Sequence, residues 1–106
     1  MAALIDSGCA APDQAAPLPA SVDLERETVI TGLVRDSAGE VVAGAYVRLL
    51  DATGEFTAEV VTSPAGQFRF FAAPGTWTLR ALSRHGNGDA SVTAGRGVNE
   101  VGVSVG

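Results

Sequence analysis

From residue 28 onward, apolar and polar positions alternate with period two, in short runs broken by turn residues. That period sends successive side chains to opposite faces of a strand. The first run, 28–35, puts Ile30, Gly32 and Val34 on one face and Val29, Thr31 and Leu33 on the other. Further runs follow at 45–50 and 56–62. The stretch 66–82 then reads as two strands joined by Ala72-Ala73-Pro74-Gly75. Phe68 and Phe70 share one face of the first, and Trp77, Leu79 and Ala81 share one face of the second. Pro removes a ladder donor and Gly permits reversal, so the pair is expected to be a hairpin. Runs at 89–93 and 98–105 close the chain.

Between the runs lie Asp36-Ser37-Ala38-Gly39-Glu40, Asp51-Ala52-Thr53-Gly54-Glu55, Ser63-Pro64-Ala65-Gly66 and the Gly/Asn-rich stretch 83–88. Asp or Ser followed by Gly is turn chemistry. About seven short strands with turns between them and no helical period predict an all-β sandwich. The expected core is Ile30, Val34, Val47, Leu49, Phe56, Val60, Phe68, Phe70, Trp77, Leu79, Val101 and Val103. Val29 and Leu33 face outward by the same alternation, so the first strand needs a cover. That cover is expected to be either the Pro-rich N-terminal segment or a second subunit in a homodimer.

Composition narrows the choices. A chain of 106 residues holds one domain with one modest core. Residues 1–26 are rich in Ala and Pro with no sustained period, and are expected to form a flexible tail; residues 27–106 form the sandwich. A net charge of −5 gives no attraction to nucleic acid or anionic lipid. All seven basic residues are Arg, so Schiff-base chemistry is excluded and any anion would meet guanidinium forks. One Cys forbids an internal disulfide. The first residues lack the basic cluster and apolar run of an export signal, and no run is long enough to span a bilayer. A cytoplasmic protein with a reduced thiol is expected.

The motifs Gly32-x-Val34-x-Asp36-x-x-Gly39, Val42-x-Gly44-Ala45-x-Val47-x-Leu49, Thr62-x-x-x-Gly66-x-Phe68 and Pro74-Gly75-x-Trp77-x-Leu79 resemble the carboxypeptidase regulatory-like domain. That resemblance, over residues 28–84, implies a transthyretin-like, or prealbumin-like, seven-stranded β-sandwich. Val47-Arg48-Leu49-Leu50-Asp51, Glu55-Phe56-Thr57-Ala58-Glu59-Val60, Phe68-Arg69-Phe70 and Thr76-Trp77-Thr78-Leu79-Arg80-Ala81-Leu82 are similar to the SseC-like family of small actinobacterial proteins. Members are encoded beside thiosulfate sulfurtransferases and are described as a domain of unknown function. The resemblance implies a place in sulfur metabolism and a thiosulfate sulfurtransferase as partner. Members often carry a Cys-Gly-Ala sequence near the start; here Cys9-Ala10-Ala11 departs from it at the Gly.

Four sets of residues are candidates for chemistry. Cys9 is a candidate sulfur acceptor on a mobile arm, although Asp6 and Asp13 disfavour its thiolate. The alternative is an incidental thiol. Outward alternation collects Arg48, Arg69, Arg80, Phe71 and Leu82 as a candidate patch for a protein partner or a small anion such as thiosulfate. The alternative there is a solvated face of Arg–Glu cross-strand pairs. His85 stands alone, which is too little for a zinc site, for an intradiol iron site or for a transthyretin-like purine hydrolase; it reads as a turn residue. Asp36, Asp51, Glu55 and Asp89 lack calcium-ligand spacing and read as turn residues too.

No nucleophile, base and orienting group can be assembled, so no catalytic residue, metal or cofactor is expected. The expectation is a non-enzymatic accessory protein that binds a thiosulfate sulfurtransferase, with sulfur carriage on Cys9 as a variant. The alternative is a structural or carbohydrate-binding sandwich.

Overall fold

The computed structural model describes Gln14 and residues 26–106. Seven strands follow one another: β1 Thr28–Arg35, β2 Tyr46–Leu50, β3 Phe56–Val61, β4 Gln67–Ala72, β5 Gly75–Ser83, β6 Gly86–Ala94 and β7 Gly97–Ser104. They form a three-stranded sheet, β4-β1-β7, and a four-stranded sheet, β3-β2-β5-β6. Every pairing is antiparallel except β1 with β7, which is parallel.

The two inner faces supply the core. Ile30, Val34, Val47, Leu49, Phe68, Phe70, Leu79 and Val103 are buried together, as the alternation predicts. Each large side chain withdrawn from water contributes about 1.5–3 kcal/mol before its ordering entropy is charged. Val60, Trp77 and Val101 pack against this cluster while remaining partly exposed. Trp77 therefore sits at the margin of the core, where its indole Nε1–H donates to the Ala73 carbonyl at 2.8 Å.

Two expectations are corrected. Phe56 is not in the core but 61% exposed. The β2/β3 register shifts between Leu49 and Leu50: Leu49 faces Ala58, but Leu50 faces Phe56. Thr57 is thus an extra residue on β3, and such a bulge resets the alternation, turning Phe56 to the outer face. The second correction concerns β4 and β5. They are joined by Ala73 and Pro74, but β4 pairs with β1 whereas β5 pairs with β2 and β6. The connection is a corner between sheets, not a hairpin. Both strands carry one apolar face, and alternation does not distinguish pairing within a sheet from facing across a core.

The turns are built by their sequences. Asp36–Glu40 and Asp51–Glu55 share one design. In each, the Asp Oδ1 accepts the backbone N–H groups two and four residues on, at 2.9 and 3.0 Å. The Asp N–H donates to the Glu carbonyl, and Gly39 and Gly54 take positive φ to close the loop. Strand β6 begins earlier than its Gly and Asn content suggests. A Cβ at Gly88 would lie 1.8 Å from the Ser104 carbonyl oxygen, so Gly there serves the close approach of β6 to β7 rather than a turn.

Candidate functional site

The outer face of the four-stranded sheet carries two adjacent cross-strand rows. The first is charged. Glu59, Arg48, Arg80 and Asp89 stand opposite one another on β3, β2, β5 and β6. Arg48 Nε donates to Glu59 Oε2 at 2.8 Å, and Arg80 Nη2 donates to Asp89 Oδ2 at 3.0 Å. All four side chains remain substantially open to solvent. The row is charge-balanced, so by itself it does not build an anion site.

The second row is apolar. Val61, Tyr46 and Leu82 are direct cross-strand neighbours one step along the same face. Tyr46 is 52% exposed and Val61 is exposed as well. The period places Tyr46 outward because Val47 and Leu49 must face the core. Beside this row opens a cavity of about 480 Å³, lined by Val42, Tyr46, Leu82, Ser83, Arg84 and His85. Arg84 and His85 form the tip of the β5–β6 hairpin. Ser83 holds that tip: its Oγ donates to the Gly86 carbonyl at 3.1 Å and accepts the His85 N–H at 3.0 Å. His85 is a turn residue, as expected, but it is also a wall of the cavity. An aromatic ring, aliphatic neighbours and flanking guanidinium groups make a surface suited to a protein contact.

The five residues expected to form one patch are divided between the sheets. Arg48, Arg80 and Leu82 lie together on the four-stranded sheet, whereas Arg69 and Phe71 belong to β4 in the other sheet. Their outer faces point away from each other, so no single surface contains all five. Strand parity was right for each residue; the missing information was which sheet β4 joins. Leu50, on the outward parity, is nevertheless buried. Tyr46 and Val61 complete the row that the division leaves behind, and the outward parity of Tyr46 was its visible signal. Cys9 lies outside the described residues.

Of the acidic residues expected in turns, Asp36 and Asp51 are the turn acceptors described above. Asp89 is instead on β6, in the ion pair with Arg80. The Asp51 carboxyl is held below the ordinary aspartate value, first by the Thr53 hydroxyl, which donates to its Oδ1 at 2.6 Å, and then by the Glu55 N–H. Among the described residues, no three His, Cys, Asp or Glu side chains are grouped so as to hold a metal ion.

A family model described as a protein of unknown function, DUF1416, matches residues 9–105. The chain belongs to the DUF1416 family. Two uncharacterized proteins of Mycobacterium tuberculosis, Rv0814c and Rv3118, are 64% identical to this DUF1416 protein over 98 residues, covering 92% of this chain and 98% of each relative. An uncharacterized protein of Mycolicibacterium smegmatis is 64% identical over 89 residues, covering 83% of this chain and 99% of the relative.

Among solved structures, the 5-hydroxyisourate hydrolase of Klebsiella pneumoniae superposes with a TM-score of 0.56 at 23% identity, covering 74% of this chain and 91% of that one. A DUF3823 family protein from Parabacteroides merdae gives 0.59 at 16% identity, covering 74% of this chain and 45% of that one. The DUF1416 chain thus spans under half the length of the latter. At these identities the likeness is one of fold: this chain has a transthyretin-like β-sandwich.

Proposed function

We propose that this DUF1416 protein is a non-enzymatic accessory protein of sulfur metabolism. In this reading it binds a thiosulfate sulfurtransferase through the outer face of its four-stranded sheet. The observation that carries the reading is the row Val61–Tyr46–Leu82, exposed at Val61 and Tyr46 and half-buried at Leu82, set against the Arg48/Arg80 ladder and the cavity at the β5–β6 tip. A wet, purely structural face has no use for an exposed Tyr between two aliphatic residues. The nature of the partner rests on the sequence resemblance to the SseC-like family. A cytoplasmic location goes with that partner; no helix among the described residues is long and apolar enough to cross a membrane.

A variant gives Cys9 a carrier role. Its thiolate attacks the outer sulfur of the partner's cysteine persulfide, that S–S bond breaks, and the partner's thiolate leaves. A Cys9 persulfide forms, with no change in overall oxidation state.

Amide-shift mapping tests the contact. Adding the sulfurtransferase encoded in the same genome moves the resonances of Tyr46, Arg48, Arg80 and Leu82. Shifts confined to β4 and β7 would move the contact to the other sheet; no shifts would remove this partner. Intact mass tests the variant: thiosulfate and the enzyme add one sulfur to the wild type and none to Cys9→Ala. Exposed Tyr46 beside a cavity also suits stacking on a sugar ring, and shifts in that row on adding soluble oligosaccharides, without response to the enzyme, favour the carbohydrate-binding alternative.

A further inference from the structure

One end of the sandwich is left unfilled. Thr28, Leu49, Ala58, Ala72 and Trp77 line a cavity of about 550 Å³ between the two sheets, beside the β4–β5 corner. The sequence makes the room. Thr28 on β1 stands between Ala72 on β4 and Gly97 on β7, neighbours with little or no side chain. On the facing sheet, Leu49 stands opposite another small residue, Ala58. Unbroken alternation on β3 would turn Phe56 inward with Ala58 and fill this end. The bulge at Thr57 turns the ring out to solvent instead. Ala58, Ala72 and Trp77 therefore pack against the core and yet stay partly exposed, because the cavity reaches them.

The cavity wall also holds an unpaired polar group. Thr28 is 2% exposed, and its Oγ1 is buried without a hydrogen-bond partner. No other buried side-chain oxygen or nitrogen among the described residues is left in that state. Thr62, also buried, has the ordinary arrangement: its Oγ1 donates to the Val42 carbonyl at 2.7 Å and accepts the Ala45 N–H at 2.9 Å. The parity that turns Ile30 and Val34 into the core turns Thr28 into the space between the sheets. A buried hydroxyl without a partner carries its desolvation penalty uncompensated, and a ligand group that reaches it removes that penalty. Trp77 does not compete as a donor, because its Nε1–H is already given to the Ala73 carbonyl at 2.8 Å. It contributes carbon surface. Arg26 and Glu27, the charged residues of the lining, have opposite signs, so the cavity has no net charge.

We propose that this cavity binds a small neutral aromatic molecule with one hydrogen-bonding group, its ring against Trp77 and Leu49 and its polar group on Thr28 Oγ1. The size fits, since small-molecule pockets run from about 300 to 1,000 Å³ and are mostly apolar with a few placed polar groups. An aromatic ring follows from an indole set among aliphatic walls. A single polar group follows from the single unpaired hydroxyl, and neutrality from the balanced charges of the lining. The site is separate from the Tyr46 surface. It opens between the sheets, whereas the Tyr46 row lies on an outer face, so neither reading depends on the other.

Trp77 is the single tryptophan of the chain, so its fluorescence reports on this cavity. The probes are benzyl alcohol and ethylbenzene, rings of the same shape that differ by a hydroxyl in place of a methyl group. Each is titrated into the full chain, with excitation beyond the absorption of either probe. The wild type should give a saturable change with benzyl alcohol. Thr28→Val keeps the shape and removes the hydroxyl. It should weaken benzyl alcohol relative to ethylbenzene by about three- to tenfold, the worth of one hydrogen bond. Its denaturant melt should be no lower than that of the wild type, because an unpaired buried group is lost. Ala58→Leu or Ala72→Leu, taken with a wild-type melt, fills the cavity and should abolish the response to both probes. No saturable response in the wild type overturns the proposal. So does an equal change for both probes in Thr28→Val, because the hydroxyl is then unused. A response that survives the filled cavity places the ring elsewhere and overturns it as well.

Discussion

Arg48 and Arg80 face each other directly across β2 and β5, and each is drawn outward by an acid on its far side, Glu59 for Arg48 and Asp89 for Arg80. Two like charges in direct cross-strand register repel. The flanking acids convert the clash into a balanced four-residue row. That row borders the Tyr46 surface and keeps two guanidinium groups presented at its edge.

Removing one acid should expose the repulsion. Glu59→Gln should lower stability by about 0.2–1 kcal/mol, because the pair is solvent-exposed. The loss should be larger in dilute buffer than at 1 M salt, where the Debye length shrinks to about 3 Å. Urea melts at the two salt concentrations read this out; a salt-independent loss would mean that packing, not charge, was removed.

The bulge at Thr57 makes an asymmetric prediction for two large apolar residues. Phe56→Ala should cost less than about 1 kcal/mol, in the range of surface changes, whereas Leu79→Ala in the core should cost about 2–5 kcal/mol. Equal losses in denaturant melts would return Phe56 to the interior.

Gly32 is required by contact, not by conformation. A Cβ there would lie 1.7 Å from the Val101 carbonyl oxygen and 2.8 Å from Phe68 Cζ. Gly32→Ala must therefore push β7 or the Phe68 ring aside, at about 1–3 kcal/mol or more for an overpacked core. A melt within error of wild type would show that β1 and β7 separate freely.

Asp51 should titrate below the ordinary aspartate range, because Thr53 and the backbone of its turn stabilise the carboxylate. A folded-state value below the unfolded one gives stability that is present above the unfolded value and is lost as pH falls through the folded one. Thr53→Ala, which removes the largest cause, should move the carboxyl carbon titration upward. An unchanged midpoint would leave the backbone donors as the whole cause.

Much of this architecture was legible in the residues. Period-two alternation marked β1 at its observed bounds, and Asp-x-x-Gly-Glu marked two turns that prove alike in their hydrogen bonds. Two kinds of information were not local. Pairing partners were one: Phe68 and Leu79 each need a core, but nothing near Pro74 says that they approach it from opposite sheets. The bulge was the other, since an extra residue at Thr57 is a property of two strands in register. For the candidate surface, parity gave the outward direction of Arg48, Arg80 and Leu82 correctly and grouped them wrongly with Arg69 and Phe71.

The measurement that bears most directly on the functional reading is the affinity of the purified full chain for the thiosulfate sulfurtransferase of the same organism, by titration calorimetry, for wild type, Tyr46→Glu and Phe71→Glu. A contact centred on the four-stranded sheet predicts saturable binding by the wild type, a loss of at least tenfold in Tyr46→Glu, about 1.4 kcal/mol, and little change in Phe71→Glu. Wild-type affinity retained in Tyr46→Glu would contradict the proposed surface, and no heat of binding from the wild type would contradict the proposed partner.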